Sequence, residues 1–381
     1  MVFLQPCLSY DKELILERVR EIFEKHGGIE RFASPGRNVV IKPNLVAKKK
    51  PEAAATTHPS LVWAVAKLCV EQGATVTIAE SPGSTYDPAT LKSLYHICGI
   101  AQAAEEAGAI LNYDTSVSHV ENSDDAMYLK HLDLISPVVQ ADTVISLSKL
   151  KTHGMMVYTG AVKNTFGCIA GMEKAEYHFK MSDYDEFANC IIDIHLASKV
   201  SLNIIDAVMG MERDGPTAGD PRQVGLLISS PNAFHADLAA VGVIDLDPLR
   251  VPVLKNAIAR GLCPASYTEL ELTGATVASV AVPDFVIKYN DDLKNLHFAG
   301  PFGEILSQLV RPRPVFHKDK CKACGECAKC CPAQVITVEK GKGARVDLSK
   351  CIRCYCCQEL CLFHAVTIKK PLLNRLFLSG K

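Results

Sequence analysis

The chain of 381 residues lacks an excess of charge of either sign and lacks any long uninterrupted apolar stretch. Its 41 Lys and Arg residues are balanced by 42 Asp and Glu residues and interleaved with them along most of the chain, which argues against a nucleic-acid partner. The most apolar helix candidate, residues 61–70, is broken by Lys67, and no stretch approaches the length of a membrane span. The first residues lack a basic region followed by an apolar one, so we expect no signal peptide.

Several cofactor and catalytic fingerprints are missing as well. No G-x-G-x-x-G follows a predicted strand, which argues against a nicotinamide or flavin site of the Rossmann type. The phosphate-binding pattern G-x-x-x-x-G-K-[ST] and the nucleophile elbow of hydrolases are absent too. Any chemistry must therefore come from other residues.

Cysteine, in contrast, is abundant, with 16 residues. A run with the spacing C-x2-C-x2-C-x3-C is followed by Pro332, and the same spacing returns 30 residues later. Three thiolates on such a loop can cap three corners of a cubane iron–sulfur cluster, while the fourth cysteine completes a second cluster. The spacing therefore predicts two [4Fe–4S] clusters with crossed ligands. One would be held by Cys321, Cys324, Cys327 and Cys361, and the other by Cys351, Cys354, Cys357 and Cys331.

A pair of zinc sites or a disulfide framework is the alternative, although zinc rarely needs eight cysteines at this doubled spacing. Without an export signal, so many cysteines indicate thiols kept reduced for metal, so we expect a cytoplasmic protein. Cys330 and Cys356 lie between the ligand positions and have no counterpart in the other half. We interpret them as small packing residues beside the clusters, with a ligand-swapping or redox role as the alternative.

The repeat continues past the cysteines, because residues 331–338 align with residues 361–368. Each half reads as a cysteine loop, a helical turn and a β-strand. Residues 319–370 resemble a bacterial-type two-cluster ferredoxin, with one departure: Leu362 stands where a proline is expected. We divide the chain into an α/β domain (1–290), a connection (291–318), the ferredoxin-type domain (319–370) and a tail (371–381).

Residues 1–290 alternate short apolar strands with amphipathic helices. This alternation predicts an α/β domain with a largely parallel sheet and helices on both faces. The predicted strands are residues 39–41, 75–79, 143–147, 202–205 and 224–229, and the predicted helices are residues 11–25, 59–72, 101–107 and 232–243. Residues 212–221 have little helical or strand propensity and form either a functional loop, such as a lid or a binding loop, or an ordinary turn.

Polar residues follow several predicted strands, and ligands of parallel α/β sheets bind beyond the carboxyl ends of the strands. A glycine-flanked segment, residues 159–167, adds a lysine with an amide neighbour. Lysines aimed at one crevice make a positive pocket that suits a carboxylate or a phosphate. Taken singly, each residue could be solvated surface or a cap. The predicted anion-binding residues are Lys42, Asn44, Lys149, His153, Asn164 and Asp206, and the predicted catalytic residues are Glu80 (for proton transfer), Lys151 and Lys163.

These residues belong to motifs that occur in a fixed order. They are Lys42-Pro43-Asn44-Leu45, Thr57-His58-Pro59, Ala79-Glu80-Ser81-Pro82-Gly83, Lys149-Leu150-Lys151-Thr152-His153, Gly160-Ala161-Val162-Lys163-Asn164 and Asp206-Ala207-Val208. Over residues 36–245 the motifs resemble the family catalogued as domain of unknown function 362, which often carries an appended two-cluster ferredoxin. The resemblance implies that these residues form one site, and it implies no reaction.

Two interpretations of function stay open. In the first, the clusters transfer electrons to or from an anionic substrate or a redox partner protein, as in a ferredoxin-coupled oxidoreductase. In the second, a non-enzymatic iron–sulfur carrier, sensor or assembly protein binds an anionic ligand or a client protein. A third interpretation, proton chemistry at a metal held by His58 or His153, has few supporting ligands. A cluster that opens toward the lysine pocket would favour the first. The sequence makes no prediction of oligomeric state.

Overall fold

The computed structural model describes residues 1–181, 183–289 and 311–369. Within these ranges a large α/β domain is followed by a smaller domain that carries both cysteine runs. The predicted tail, 371–381, lies outside the described residues, as does most of the predicted connection. No helix in the described ranges is long and apolar enough to cross a membrane.

The α/β domain is built on a nine-stranded sheet. The strands of the domain are β1 (Val2–Pro6), β2 (Asn38–Pro43), β3 (Thr75–Ile78), β4 (Ile110–Leu111), β5 (Val117–Glu121), β6 (His131–Ile135), β7 (Thr143–His153), β8 (Val157–Thr159), β9 (Leu202–Glu212), β10 (Asp220–Ser230) and β11 (Leu272–Gly274). The order across the sheet is β11-β1-β10-β9-β7-β2-β3-β4, with β8 paired to β7, while β5 and β6 form a separate hairpin. Only β8 and β10 run antiparallel to their neighbours within this sheet of the described chain, so the largely parallel sheet predicted from the sequence is confirmed.

Helices cover both faces of this sheet. They are α1 (Lys12–Lys25), α2 (Pro59–Glu71), α3 (Pro88–Ile97), α4 (Ile100–Ala107), α5 (Ser136–Val139), α6 (Ala161–Asn164), α7 (Glu173–Lys180), α8 (Tyr184–Ala197), α9 (Ala233–Val243), α10 (Pro252–Ala259) and α11 (Val277–Val280). Val39 and Ile41 of β2 pack in the apolar core of α1–α4, whereas Val40 packs in the core of α6 and α8–α10. This division follows because successive side chains of a strand point to opposite faces.

Helix α1 illustrates how the local sequence sets these elements. The Asp11 carboxylate accepts hydrogen bonds from the backbone N–H groups of Glu13 and Leu14, which caps the helix. Its buried residues recur at helical spacing and are Ile15, Val19, Ile22 and Phe23. The helix ends before Gly27, which has a φ of 97° that suits glycine.

Three central strands are longer than the sequence predicts, since β7, β9 and β10 each have 11 residues. The predicted ends of β7 and β9 fall too early because charged residues are taken to lie outside the strands. In the structure Lys149 of β7 and Asp206 of β9 occupy paired positions and form an ion pair inside the sheet. Lys149, Lys151, His153 and Asp206 therefore lie within strands and not beyond their ends, which corrects the prediction. The pairing of β9 with β10 also shortens the predicted loop 212–221 to residues 213–219.

The small domain builds one unit twice. Its elements are β12 (Arg313–Phe316), α12 (Glu326–Lys329), β13 (Ile336–Glu339), β14 (Gly343–Val346), α13 (Cys356–Glu359) and β15 (Val366–Lys369), and each element of the second half begins 30 residues after its counterpart. Strand β12 pairs with β15, and β13 pairs with β14. Because β12 lies in the range 291–318 assigned to a connection, the structural repeat begins before residue 319.

The cysteine loops also repeat their backbone conformation. Residues with positive φ occupy equivalent positions of the two halves: Ala323 and Arg353, Gly325 and Tyr355, and Gln334 and His364. Residues other than glycine adopt this conformation uncommonly. Its recurrence at a 30-residue offset indicates that both loops curl around their cysteines in the same way.

His195 of α8 should make the stability of the α/β domain depend on pH. The side chain is buried, packs edge-on against Phe234, and has no hydrogen-bond partner for Nδ1 within the described residues. Burial lowers its pKa to about 4. The unfolded chain, with a histidine pKa of about 6.5, then binds more protons than the folded chain between pH about 6.5 and about 4. Stability should therefore fall as the pH drops through this window.

Thermal unfolding followed by the fluorescence of Trp63, the only tryptophan, checks this expectation at pH 7, 6 and 5. His195→Phe should show a smaller acid-induced loss than the unmodified chain. His96→Phe, which replaces an exposed histidine, should keep the full loss. Equal pH dependence in both variants would contradict the assignment.

Candidate functional site

The eight repeated cysteines line two separate cavities of the small domain. Cys321, Cys324, Cys327 and Cys361 line one of about 360 Å³, here called the outer cage. Cys331, Cys351, Cys354 and Cys357 line another of about 330 Å³, here called the inner cage. The last cysteine of each run thus lies with the first three of the other run. Cys324 of the outer cage is exposed, whereas Cys331 and Cys357 of the inner cage are buried.

The donor set of each cage fits a cubane cluster. All of these thiols are free, and the remaining lining of both cages is largely apolar. In the described ranges no three His, Cys, Asp or Glu side chains approach closely enough to hold a single metal ion. Cluster ligands stand farther apart, because the iron–sulfur core lies between them. The same finding leaves His58 and His153 without partners for the mononuclear site considered above.

A third cavity, of about 600 Å³, lies between the two domains and is here called the interdomain pocket. Four of the predicted site residues line it: Asn44, Glu80, Lys163 and Asn164. The small domain contributes Cys330, Cys356, Glu359 and Leu360. The pocket is therefore incomplete in either domain alone.

Glu80, which lines this pocket, forms an ion pair with Lys42. The two side chains are almost fully buried, and Lys42 Nζ lies 2.9 Å from Glu80 Oε2. The carboxylate also accepts hydrogen bonds from the backbone N–H groups of Leu45 and Ser81. Gly167 packs directly on the pair, since a Cβ at this position would lie 2.2 Å from Glu80 Oε1. Three hydrogen bonds, one of them from Lys42, thus hold the Glu80 carboxylate in place.

Lys151 lies one hydrogen bond behind the pocket wall. Its Nζ donates to Asn44 Oδ1 at 2.8 Å and to the Ala55 carbonyl at 2.6 Å. Asn44 in turn donates to Asn164, which also receives a long hydrogen bond from Lys42. Burial lowers the pKa of Lys151 to about 7, against the opposing attraction of Glu359. Lys42, Asn44, Lys151 and Asn164 therefore form one network.

Lys149 and Asp206 belong to a neighbouring buried network and do not line the pocket. Lys149 Nζ lies 2.9 Å from Asp206 Oδ2, and Tyr10 donates to the other carboxylate oxygen at 2.7 Å. The backbone N–H of His58 also donates to Asp206, and its ring stacks on Tyr10 with 3.6 Å between centroids. Burial lowers the pKa of Lys149 despite the opposing Asp206 charge. This arrangement ties the segment between β1 and α1, strands β7 and β9, and the start of α2 together.

Lys163 and His153 both interact with Glu359 of the small domain, although His153 does not line the pocket. Lys163 is half-buried, and its Nζ has no hydrogen-bond partner within the described residues, although it lies over the Phe166 ring at 5.4 Å. Burial lowers the pKa of Lys163, and the negative charge of Glu359 opposes this shift. His153 Nε2 lies 3.7 Å from Glu359 Oε2. Burial and the neighbouring Lys163 hold the pKa of His153 well below its usual range, so the ring is neutral.

One residue separates the interdomain pocket from the inner cage. Cys356 lines both cavities, and Cys330, which also lines the pocket, directly precedes the inner-cage cysteine Cys331. In the described structure the outer-cage cysteines do not reach the pocket. Of the two cysteines interpreted from the sequence as packing residues, Cys356 therefore forms the wall between the pocket and the inner cage, and Cys330 lines the pocket beside it.

The loop 213–219 anchors the small domain next to the pocket. Thr217 Oγ1 donates to the Glu359 carbonyl at 2.7 Å, and Gln358 Nε2 donates to the Asp214 carbonyl at 3.1 Å. The Glu359 carbonyl and the Gln358 side-chain amide both lie at the end of α13. The loop therefore contacts the small domain directly through these two hydrogen bonds.

Several pocket residues carry no signal in the sequence. Lys174 donates to the carbonyls of Ser81, Pro82 and Ile169 and to the Ser81 hydroxyl, and burial lowers its pKa to about 7. His178 lines the pocket from the same helix, α7. Glu359 lies two residues after a predicted cluster ligand, Cys357, and the ferredoxin pattern assigns no role to its position. Only the packing of the two domains reveals these residues.

Two family models match the chain. One, described as "Domain of unknown function (DUF362)", matches residues 39–242. The other, described as a 4Fe-4S dicluster domain, matches residues 313–362. Both resemblances drawn from the sequence motifs are thereby confirmed, and the chain is an iron–sulfur protein.

Individual relatives cover different parts of the chain. The thylakoid-associated protein sll1697 of Synechocystis sp. is 33% identical over 278 residues, which are 71% of this chain and 82% of that protein. The DNA-directed RNA polymerase subunit Rpo3 of Methanosarcina mazei is 41% identical over 58 residues, which are 14% of this chain and 21% of that subunit. Among solved structures, the lactate racemase apoprotein of Thermoanaerobacterium thermosaccharolyticum aligns with a TM-score of 0.43 and 14% identity, over 64% of this chain and 57% of that chain.

The Lys42–Glu80 pair should behave as one energetic unit. Lys42→Met leaves the Glu80 carboxylate buried without its cation, which should cost about 3–5 kcal/mol of unfolding free energy. The double variant Lys42→Met with Glu80→Gln should cost much less than the sum of the single changes, because no uncompensated charge remains. Urea unfolding of the unmodified protein, Lys42→Met, Glu80→Gln and the double variant measures this coupling. Iron content is the control for the small domain. Additive effects would contradict it.

Proposed function

We propose that this chain, which belongs to the family catalogued as domain of unknown function 362, exchanges electrons between an external redox protein and a small anionic substrate in the interdomain pocket. Two [4Fe–4S] clusters, one in each cage, would supply the electron relay when bound. The placement of four thiols around each of two cavities supports this count. Thiols that must stay reduced support the cytoplasm as the setting.

The wall shared by the pocket and the inner cage carries this proposal. Cys356 lines both cavities, so a substrate in the pocket would lie one residue from the inner cage. A non-enzymatic carrier needs no such cavity beside a buried cage. This proximity favours electron transfer into the pocket over the carrier, sensor or assembly interpretation.

Lys163 is the residue best suited to hold the anionic group. Its ammonium group lines the pocket and lacks a hydrogen-bond partner within the described residues, and a withdrawn cation without a partner favours an anion. Asn44 and Asn164 line the same cavity and can add polar contacts. The buried Lys42 and Lys151 lie directly behind them and contribute positive potential, so the pocket suits a carboxylate or phosphate.

Proton transfer is better assigned to Lys163 than to Glu80. Three hydrogen bonds to its carboxylate, including one from Lys42, hold Glu80 in place and occupy most of its acceptor positions. Lys163, in contrast, has three uncommitted donors facing the cavity. We assign Glu80 a positioning role, and we assign Lys163 to binding the anion and to proton donation.

The cluster count and the crossed ligands are tested by neighbouring cysteines. Anaerobically purified protein should contain about eight iron and eight acid-labile sulfide per chain. Cys331→Ser should remove about half of the iron and abolish the signal of the cluster bound by Cys351, Cys354 and Cys357. Cys330→Ser, one residue away, should keep the full iron content. Loss of the outer-cage cluster in Cys331→Ser, or a stoichiometric zinc content in the unmodified protein, would contradict the assignment.

The pocket is tested with small anions. Acetate, oxalate and phosphate are titrated in turn into the holoprotein and followed by calorimetry and by the electron paramagnetic resonance spectrum of the reduced protein. At least one should bind and perturb the inner-cage signal. Lys163→Met should weaken that binding roughly 10- to 100-fold, because a hydrogen bond from a charged group contributes about 1.5–3 kcal/mol.

Lys130→Met, which removes an exposed lysine, is the matched control and should bind the anion as the unmodified protein does. Iron content and melting temperature should be equal in all three proteins. Absence of binding by every anion, or equal binding by Lys163→Met, would contradict the pocket assignment without affecting the cluster assignment.

A further inference from the structure

The small domain is strongly basic, although the whole chain is neutral in balance. Residues 311–369 contain twelve Lys and Arg residues but only five Asp and Glu residues. Each bound [4Fe–4S] core with four thiolates would add a net charge of about −2. The domain therefore keeps a positive excess even with both cages filled.

Much of this positive charge surrounds the outer cage. Lys322 lines the cage itself, and the turn that leads into Cys321 carries Lys318 and Lys320. The turn between β13 and β14 carries Lys340, and it packs against the cage, since a Cβ at Gly343 would lie 3.5 Å from Cys321 Sγ.

The nearby acids do not neutralise these lysines. Glu326 is paired with Lys329, and Glu339 is paired with Lys342. The four exposed lysines Lys318, Lys320, Lys322 and Lys340 have no ion-pair partner within the described residues. Asp319 is the remaining exposed acid beside them. This surface thus presents a net positive field around the outer cage.

Apolar side chains lie exposed at the same place. Phe363 lines the outer cage and is 42% exposed, and its neighbour Leu362 is 40% exposed. Cys324 of the cage is itself exposed. A cation-rimmed surface with exposed apolar residues at the cage wall has the composition of a protein-docking site.

We propose that this surface docks an acidic electron-carrier protein against the outer cage. Charge complementarity selects the sign of the partner, because opposite surface charges steer encounter and exclude like-charged proteins. The exposed Phe363 and Leu362 would then pack at the contact, next to the cage that faces away from the pocket. The inference rests on cluster binding in the outer cage, but it does not depend on the identity of the pocket ligand.

The test measures binding of the holoprotein to a purified plant-type [2Fe–2S] ferredoxin with a net negative charge. The dissociation constant is determined by interferometry at about 20 mM and about 300 mM salt. Raising the salt should weaken binding tenfold or more, because electrostatic steering is screened. Lys318→Glu with Lys340→Glu should weaken low-salt binding at least tenfold, and neither change alters a residue adjacent to a cluster cysteine.

A matched variant carries the same change of net charge elsewhere. Lys25→Glu with Lys130→Glu replaces two exposed lysines of the α/β domain and should bind within twofold of the unmodified protein. Iron content should be the same in all variants. Phe363→Ser should also weaken binding, but without changing its salt dependence.

Three results would overturn the proposal. The first is equal binding by the two double variants, and the second is binding that salt does not weaken. The third is failure to bind the ferredoxin together with association of the holoprotein with vesicles rich in anionic lipid, which would assign the basic surface to a membrane. None of these results bears on anion binding at Lys163, so failure here is distinguishable from failure of the pocket assignment.

Discussion

The withdrawal of ammonium groups from water is the constraint on which the site depends. Desolvating each ion costs several kcal/mol unless a partner compensates it, and several lysines are withdrawn around one end of the sheet. Three of them are compensated inside the α/β domain: Lys42 by Glu80, Lys149 by Asp206, and Lys174 by a ring of carbonyl groups. Lys163 differs from these three, because the opposing charge that acts on it, Glu359, belongs to the small domain. The same carboxylate acts on Lys151.

Domain docking therefore completes the electrostatics of the pocket as well as its walls. Glu359 contributes twice: its carbonyl accepts the hydrogen bond of Thr217, and its carboxylate lies near His153 and acts on Lys163. The loop that anchors α13 thus also fixes the distance between that charge and the lysine. Leu360 adds an apolar contact to the same wall, since a Cβ at Gly83 would lie 2.8 Å from its side chain. The contact between the domains, the position of the Glu359 charge and the proximity of the pocket to the inner cage therefore depend on a single interface.

The sequence predicts the elements whose signals are local and misses those that depend on the interface. The cysteine spacing and the strand–helix alternation are local patterns, so the iron–sulfur domain and the α/β class follow from them. The sequence predicts only the first halves of strands β7 and β9. Charged residues such as Lys149 and Asp206, which pair inside the sheet, resemble the polar residues that follow a strand. Lys163 is found from its glycine-flanked motif, whereas Glu359 and Lys174 become visible only when two remote segments meet. The local sequence does not show which of the many lysine side chains will be buried.

The internal duplication explains the backbone of the small domain but not the side chains that give it a function. Helices α12 and α13 occupy equivalent positions, yet Lys329 is exposed to solvent while its counterpart Glu359 faces the pocket. In the same way Glu326 pairs with a surface lysine, whereas its counterpart Cys356 forms the wall of the inner cage. The repeated geometry is needed to hold two similar cages, and it imposes no symmetry on their surroundings. One half is then free to face solvent and basic surface, while the other half is shaped by the domain it contacts. The repeated backbone is symmetric, but its surroundings differ: the outer cage has an exposed cysteine, whereas the inner cage shares Cys356 with the interdomain pocket.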